Sequence, residues 1–292
     1  MLLLHCKRIL WINMNKYLSY LLLIASTIFA TEQSEPLEPI VDSSTHAAEA
    51  IAYIKNEHIP VKEFLKGSYA KPGDLWLCSS NSFNSKLIRF ASESAFSHMG
   101  MFWGNGKDNK IEVIHSDDTP EAKRINPVTG EYWPEKDQGI TGVVCHYLDE
   151  LLYSKDKFVW LPLSEEFRRQ NPDVFNKTAM EGIYNTFVGR AYDSSQRYKA
   201  IIDFPYLPQC IRRCLINKTE EKQLFCSEFI VAALKNQKLL PGGTIASEFA
   251  PEDFLHWNDI ELWELDGSAA NVQLQKLYDP SKARLIDFSS SN

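Results

Sequence analysis

The hydrophobic and polar positions fall into short blocks, more strand than helix in the first half and more helix in the second. Residues 75–78 (Leu-Trp-Leu-Cys) form a continuous apolar run after the turn Pro72-Gly73-Asp74, the pattern of a buried strand. Residues 96–103 and 110–116 read as two strands joined by a turn over 104–109, where Asn105-Gly106 is a strong hairpin signal. Further strands are expected at 142–146 and 157–163, and the polar stretch 117–141, with three prolines and two glycines, reads as a long surface loop. Helical spacing of apolar residues appears at 46–65, interrupted by Pro60, and at 173–188. It recurs from Phe225 to Leu240, where Pro241-Gly242-Gly243 stops it. Residues 203–222 read as an irregular insertion, and the Ser-rich end as a frayed tail.

The N-terminus departs from this pattern. Lys7, Arg8 and Lys16 precede an uncharged run over 17–30 that fits the apolar region of a signal peptide, with an uncleaved membrane anchor as the other reading. The expected organisation is a leader or anchor over 1–30, a linker over 31–45, a folded domain over 46–270 and a tail over 271–292. Export to a periplasmic or extracellular location follows, with the leader as a tether if it is retained. A net charge of -7 without a basic stripe argues against a nucleic-acid partner. No cofactor is expected, and no zinc, because no second close pair of Cys or His has finger or ribbon spacing.

Cys226 stands in the first turn of the last strong helix. A thiol there feels the positive end of the helix dipole, which favours thiolate and prepares a nucleophile; a buried core cysteine is the plain alternative. A nucleophilic thiol needs a base, and the base an orienting group. His98 and His115 are the best-placed histidines, because both lie on strands of one hairpin. With the turn centred between Gly106 and Lys107, His98 faces His115 directly and Glu112 points to the opposite face; a one-residue slip would bring Glu112 into play instead. Asp117 and Asp118 read as the acidic start of the exposed loop.

These residues resemble a known family. Gly73-Asp74-Leu75-Trp76, Ser97-His98-Met99-Gly100-Met101, Val113-Ile114-His115-Ser116, Gly189-Arg190-Ala191-Tyr192-Asp193 and Phe225-Cys226-Ser227-Glu228-Phe229 are similar to the permuted papain-like enzymes of the YiiX/YaeF type, relatives of the NlpC-type cysteine peptidases. The resemblance covers roughly residues 71–240, and its order is that of the permuted group, with His98 ahead of Cys226. It implies an α+β fold in which an antiparallel sheet packs against the helix carrying the cysteine. Cys226 is then the nucleophile, His98 the general base, His115 the orienting residue where the family often has Glu, and Tyr192 part of the pocket lining. Asp74 in the Gly-Asp turn reads as structural. The implied activity is a thiol-dependent amidase or peptidase working through an acyl-enzyme on a peptide-amide substrate. The alternatives are an acyltransferase or lipid esterase taking an acyl ester at the same site, and a catalytically silent binding module, for which Cys226 would be buried or disulfide-bonded.

Overall fold

The computed structural model describes residues 54, 58–66, 69–82, 85–86, 88–89, 94–117, 122–138, 141–152, 157–192, 224–241, 243–244, 246, 249–255, 260–263, 269–272 and 274–288. All of them fall in the compact unit Ser44–Asn292. The leader over 1–30, the linker over 31–45, the insertion over 203–222, Cys6, Cys210, Cys214 and Asp193 lie outside the described residues. No helix among the described residues is long and apolar enough to cross a membrane.

Strand β1 (His58–Pro60) leads directly into helix α1 (Val61–Lys66). Pro60 therefore precedes a helix instead of kinking one, and His58, expected on a helix, is exposed on an edge strand. The expected strands follow as β2 (Leu75–Ser79), β3 (His98–Asn105) and β4 (Ile111–Asp117). The stretch read as a long loop carries structure of its own, the small hairpin β5 (Ile125–Asn126) and β6 (Glu131–Tyr132). Next come β7 (Gly142–Tyr147), α2 (Leu148–Leu152), β8 (Lys157–Leu161), α3 (Glu165–Gln170), α4 (Lys177–Phe187) and α5 (Cys226–Asn236). A separate antiparallel pair, β9 (Ile260–Trp263) and β10 (Ala269–Val272), precedes β11 (Arg284–Asp287).

Among the described residues the main sheet has nine strands, in the order β1-β11-β8-β2-β3-β4-β7-β5-β6. Every pairing in it is antiparallel except β1 with β11. The architecture is α+β. The expected C-terminal tail is corrected here: β11 fills the slot between β1 and β8, and Ile286 is buried in the core. Only Leu285 and Ile286 are apolar in that strand, too short a run to stand out beside the serines that follow.

Both faces of the central strands are covered, so β2 is buried at every position instead of alternating. One face (Leu75, Leu77, Met99, Met101, Ile114, Val159) packs with Ile183 and Phe187 of α4 and Phe229 and Ala233 of α5. The other face (Trp76, Cys78, Phe102, Val113, Phe158) packs with Phe64 of α1 and Leu148 of α2. Helix α5 lies against β3 and β4, the two strands that carry the candidate histidines.

The β3–β4 hairpin is not centred where the sequence suggests. Met101 pairs with Ile114 and Phe102 with Val113, whereas Gly104 pairs with Glu112, so Trp103 is an extra residue bulged out of β3. The turn closes through Asp108 and Asn109, both left-handed with φ of 60° and 57°. The register thus lies two residues from the direct His98–His115 pairing. A shift of two keeps every side chain on its face, since the strand repeat is two.

Candidate thiol site and histidine row

The first turn of α5 is fixed by its own sequence. Glu228 reaches back so that its Oε2 accepts the Phe225 amide N–H at 2.8 Å, half of a capping box. The chain entering the helix is anchored on both sides: Leu224 N–H donates to the Ala191 carbonyl at 3.0 Å, and Ser116 Oγ, at the end of β4, donates to the Leu224 carbonyl at 2.5 Å. These contacts bring the head of α5 to the strand ends where β3 begins and β4 stops.

Cys226 is a free thiol with no exposed surface. Its sulfur accepts hydrogen bonds from the backbone N–H of Met99 and of Ser227. The Met99 amide belongs to the peptide that joins His98 to Met99, so the thiol meets β3 at its first peptide group. Burial pushes this thiol well above the ordinary range. The two amides pull it down, while Cys78 and the Glu228 carboxylate add to the rise. The expected lowering by the helix N-terminus is therefore overturned. Desolvation outweighs the dipole, and Glu228 already brings a negative group to that end of the helix.

His98 and His115 meet. His98 Nε2 and His115 Nδ1 share a hydrogen bond at 2.8 Å, with ring centroids 5.0 Å apart. They meet on the diagonal and not as direct partners. The register carries His115 across from Gly100, and a Cβ built on Gly100 would stand 2.7 Å from the Cβ of His115. Glu112 lies on the opposite face and takes no part in this pair. Trp76 completes the group, its ring 5.3 Å from each of the two imidazoles and its indole against Gly100. Alternation along β3 turns Met99 and Met101 toward α5 and turns His98 to the other face with Trp76 and Cys78. The thiol thus meets the α5 face of β3 at its first peptide group, while the imidazole pair lies on the other face.

Tyr192 is buried, and its ring centroid lies 5.7 Å from that of Phe225, the residue before Cys226. Asp74 is built into the scaffold: its carboxylate accepts from Lys71 N–H at 2.9 Å, Trp160 Nε1 at 3.0 Å and Leu163 N–H at 2.8 Å, and it pairs with Arg168.

The histidine row extends one strand further than the sequence indicates. His146 on β7 places its ring 5.1 Å from His115, and Asp117 is the half-buried last residue of β4, not the start of an exposed loop. His146 Nδ1 donates to the Lys123 carbonyl at 3.0 Å. Burial and the neighbouring His115 push its pKa down to about 3, so the ring is neutral. A search for close pairs of Cys or His could not find this grouping, because it forms across strands.

No family model matches the chain, and no curated protein matches it. Among solved structures, the chain is similar to the crystal structure of the metalloprotein YiiX from Escherichia coli O157:H7. The two share 18% identity and a TM-score of 0.32, over 60% of this chain and 69% of that one. A superposition that loose defines neither a common fold nor a common activity, so function is read from this chain's own residues.

Proposed function

We propose that the chain is a thiol-dependent hydrolase that cleaves an amide or ester through an acyl-enzyme on Cys226. The observation that carries this reading is the 2.8 Å bond between His98 and His115, on the strand whose first peptide N–H holds the Cys226 sulfur. A base held by a second imidazole, on the strand whose first amide meets a sulfur supplied with two amide donors, brings together the parts that nucleophilic catalysis asks for. In the reaction the Cys226 sulfur attacks the carbonyl carbon and its proton passes to His98. His98 returns that proton to the departing amine or alcohol, and water then attacks the thioester, restoring the thiol and releasing the acid. Because burial keeps the resting thiol protonated, His98 removes the proton as the bond forms. In this scheme His115 accepts the Nε2–H of His98 and steadies the imidazolium.

Two observations bear on the alternatives. Leu224 and Phe225 precede Cys226 in the chain and Tyr192 packs on Phe225, so the surroundings of the thiol are apolar, which favours an acyl ester over a polar peptide. The full burial of Cys226 favours the silent binding module. The leader pattern over 1–30 supports placing this activity outside the cytosol, with the N-terminus as a tether.

Incubation with p-nitrophenyl esters of graded acyl length and with peptide anilides, followed by intact-mass analysis, separates these readings. The hydrolase reading predicts release of nitrophenol or aniline and an acyl mass increment on Cys226, absent in Cys226→Ala. A folded wild type that forms no adduct across the panel would leave the binding module.

A further inference from the structure

We propose that His115, Asp117 and His146 form a binding site for a divalent transition-metal ion of the zinc class. One ligand atom from each lies within 4.8 Å of the other two. His115 and Asp117 share a face of β4, being two residues apart on one strand. On β7, Val144 pairs with His115 and His146 with Val113, so His146 stands on the diagonal from His115 and on the same face. The site thus draws on two neighbouring strands of a buried sheet, and both histidines are 99% or more removed from solvent.

The hydrogen bonds set the tautomers in the way metal-binding imidazoles are usually held. His146 donates Nδ1–H to the Lys123 carbonyl, which places its lone pair on Nε2. His115 is engaged through Nδ1 with His98, so Nε2 is the atom it would offer. Two imidazoles and one carboxylate make a donor set that zinc accepts at roughly 2.0–2.2 Å, keeping an open position for water or another ligand. Drawing the three atoms onto one ion needs a closure of roughly 1 Å. Asp117, the half-buried last residue of β4, would supply it by a change of side-chain rotamer.

The ion has a consequence for the thiol, and this part rests on the hydrolase reading. The His98–His115 bond holds one proton. When His98 acts as base, its Nε2–H donates to His115 Nδ1, and the proton of His115 sits on Nε2, where the ion would bind. An ion on His115 Nε2 moves that proton to Nδ1, reverses the shared bond and places the proton of His98 on Nδ1, the nitrogen that must take the thiol proton. A loaded ion and an active base exclude each other.

The test uses the full chain stripped of metal by chelator dialysis and titrated with Zn²⁺ by calorimetry, with metal content read by mass spectrometry. One equivalent should bind. Asp117→Asn, which preserves shape, and His146→Ala should each weaken binding at least roughly tenfold. Cys226→Ala should bind as the wild type does. Equal zinc affinity in wild type and Asp117→Asn would overturn the site, as would loss of binding in Cys226→Ala, which places the ion on the thiol. The linkage is read separately: zinc should slow alkylation of Cys226 by iodoacetamide in the wild type and leave Asp117→Asn unaffected. One-equivalent binding with unchanged alkylation would refute the reversal of the shared proton, whereas absence of acyl transfer by the metal-free chain, with zinc binding as expected, would refute the hydrolase reading alone.

Discussion

Gly100 sets the contact between the two histidines. A Cβ at this position would lie 2.5 Å from the Trp76 indole and 2.7 Å from the Cβ of His115, and neither neighbour has room to retreat in a fully buried layer. Gly100→Ala is expected to cost about 1–3 kcal/mol in urea unfolding, the range for overpacking a tight core. It should also separate His98 from His115, seen as loss of their coupled imidazole signals by NMR; an unchanged midpoint and unchanged signals would count against the role given to Gly100. At this scale the sequence showed the histidines on one face, because strand alternation depends only on the spacing along each strand. It did not show the direction of the Cys226 pKa shift, since that depends on how much surrounding structure excludes water. Nor did it show His146 and Asp117 as a group, because their proximity comes from the pairing of β4 with β7.

The hairpin β3–β4 shows how an element can be read correctly and still be placed incorrectly. Its two strands and its turn are visible in the residues, but the bulge at Trp103 and the left-handed pair Asp108 and Asn109 move the register by two. Asn105-Gly106 suggested a tighter turn than the one that forms. The turn before β2 behaves differently, because its chemistry reaches far along the chain. Asp74 ties Lys71, Trp160, Leu163 and Arg168 together, thereby joining the start of β2 to the end of β8 and to α3. Asp74→Ala leaves a half-buried guanidinium and three donors without their acceptor, and is expected to lower stability by about 3–5 kcal/mol. A loss near zero in chemical denaturation would show that water replaces the carboxylate.

Across the whole molecule, the nine-stranded sheet with helices on both faces leaves little room for charge inside, and Glu112 is the test of this. Burial raises its carboxyl from 4.5 to about 7. The folded chain therefore keeps a proton that the unfolded chain releases between those values. Stability is full below about pH 4.5, falls as pH rises toward 7 and levels off above it. Glu112→Gln should remove that fall and raise the melting temperature at pH 7.5 by about 2–4 °C, the shift given by roughly 1 kcal/mol in a domain of this size. Parallel pH profiles for wild type and Glu112→Gln would show that the carboxyl ionises freely in the fold. The α+β class and the central strands were legible because continuous apolar runs survive without context. The strand β11 was not, since two apolar residues gain their meaning only from the strands on either side.

The measurement that tests the thiol site most directly is the rate of iodoacetamide labelling at Cys226, mapped by peptide mass spectrometry against Cys78 and Cys145. All three are buried and none is in a disulfide, so the other two serve as buried thiols for comparison. An activated site predicts that Cys226 reacts well ahead of both and that His98→Ala brings its rate down to theirs. Labelling of Cys226 at the pace of Cys78 and Cys145, unchanged by His98→Ala, would contradict the account and leave Cys226 a core residue of a binding module.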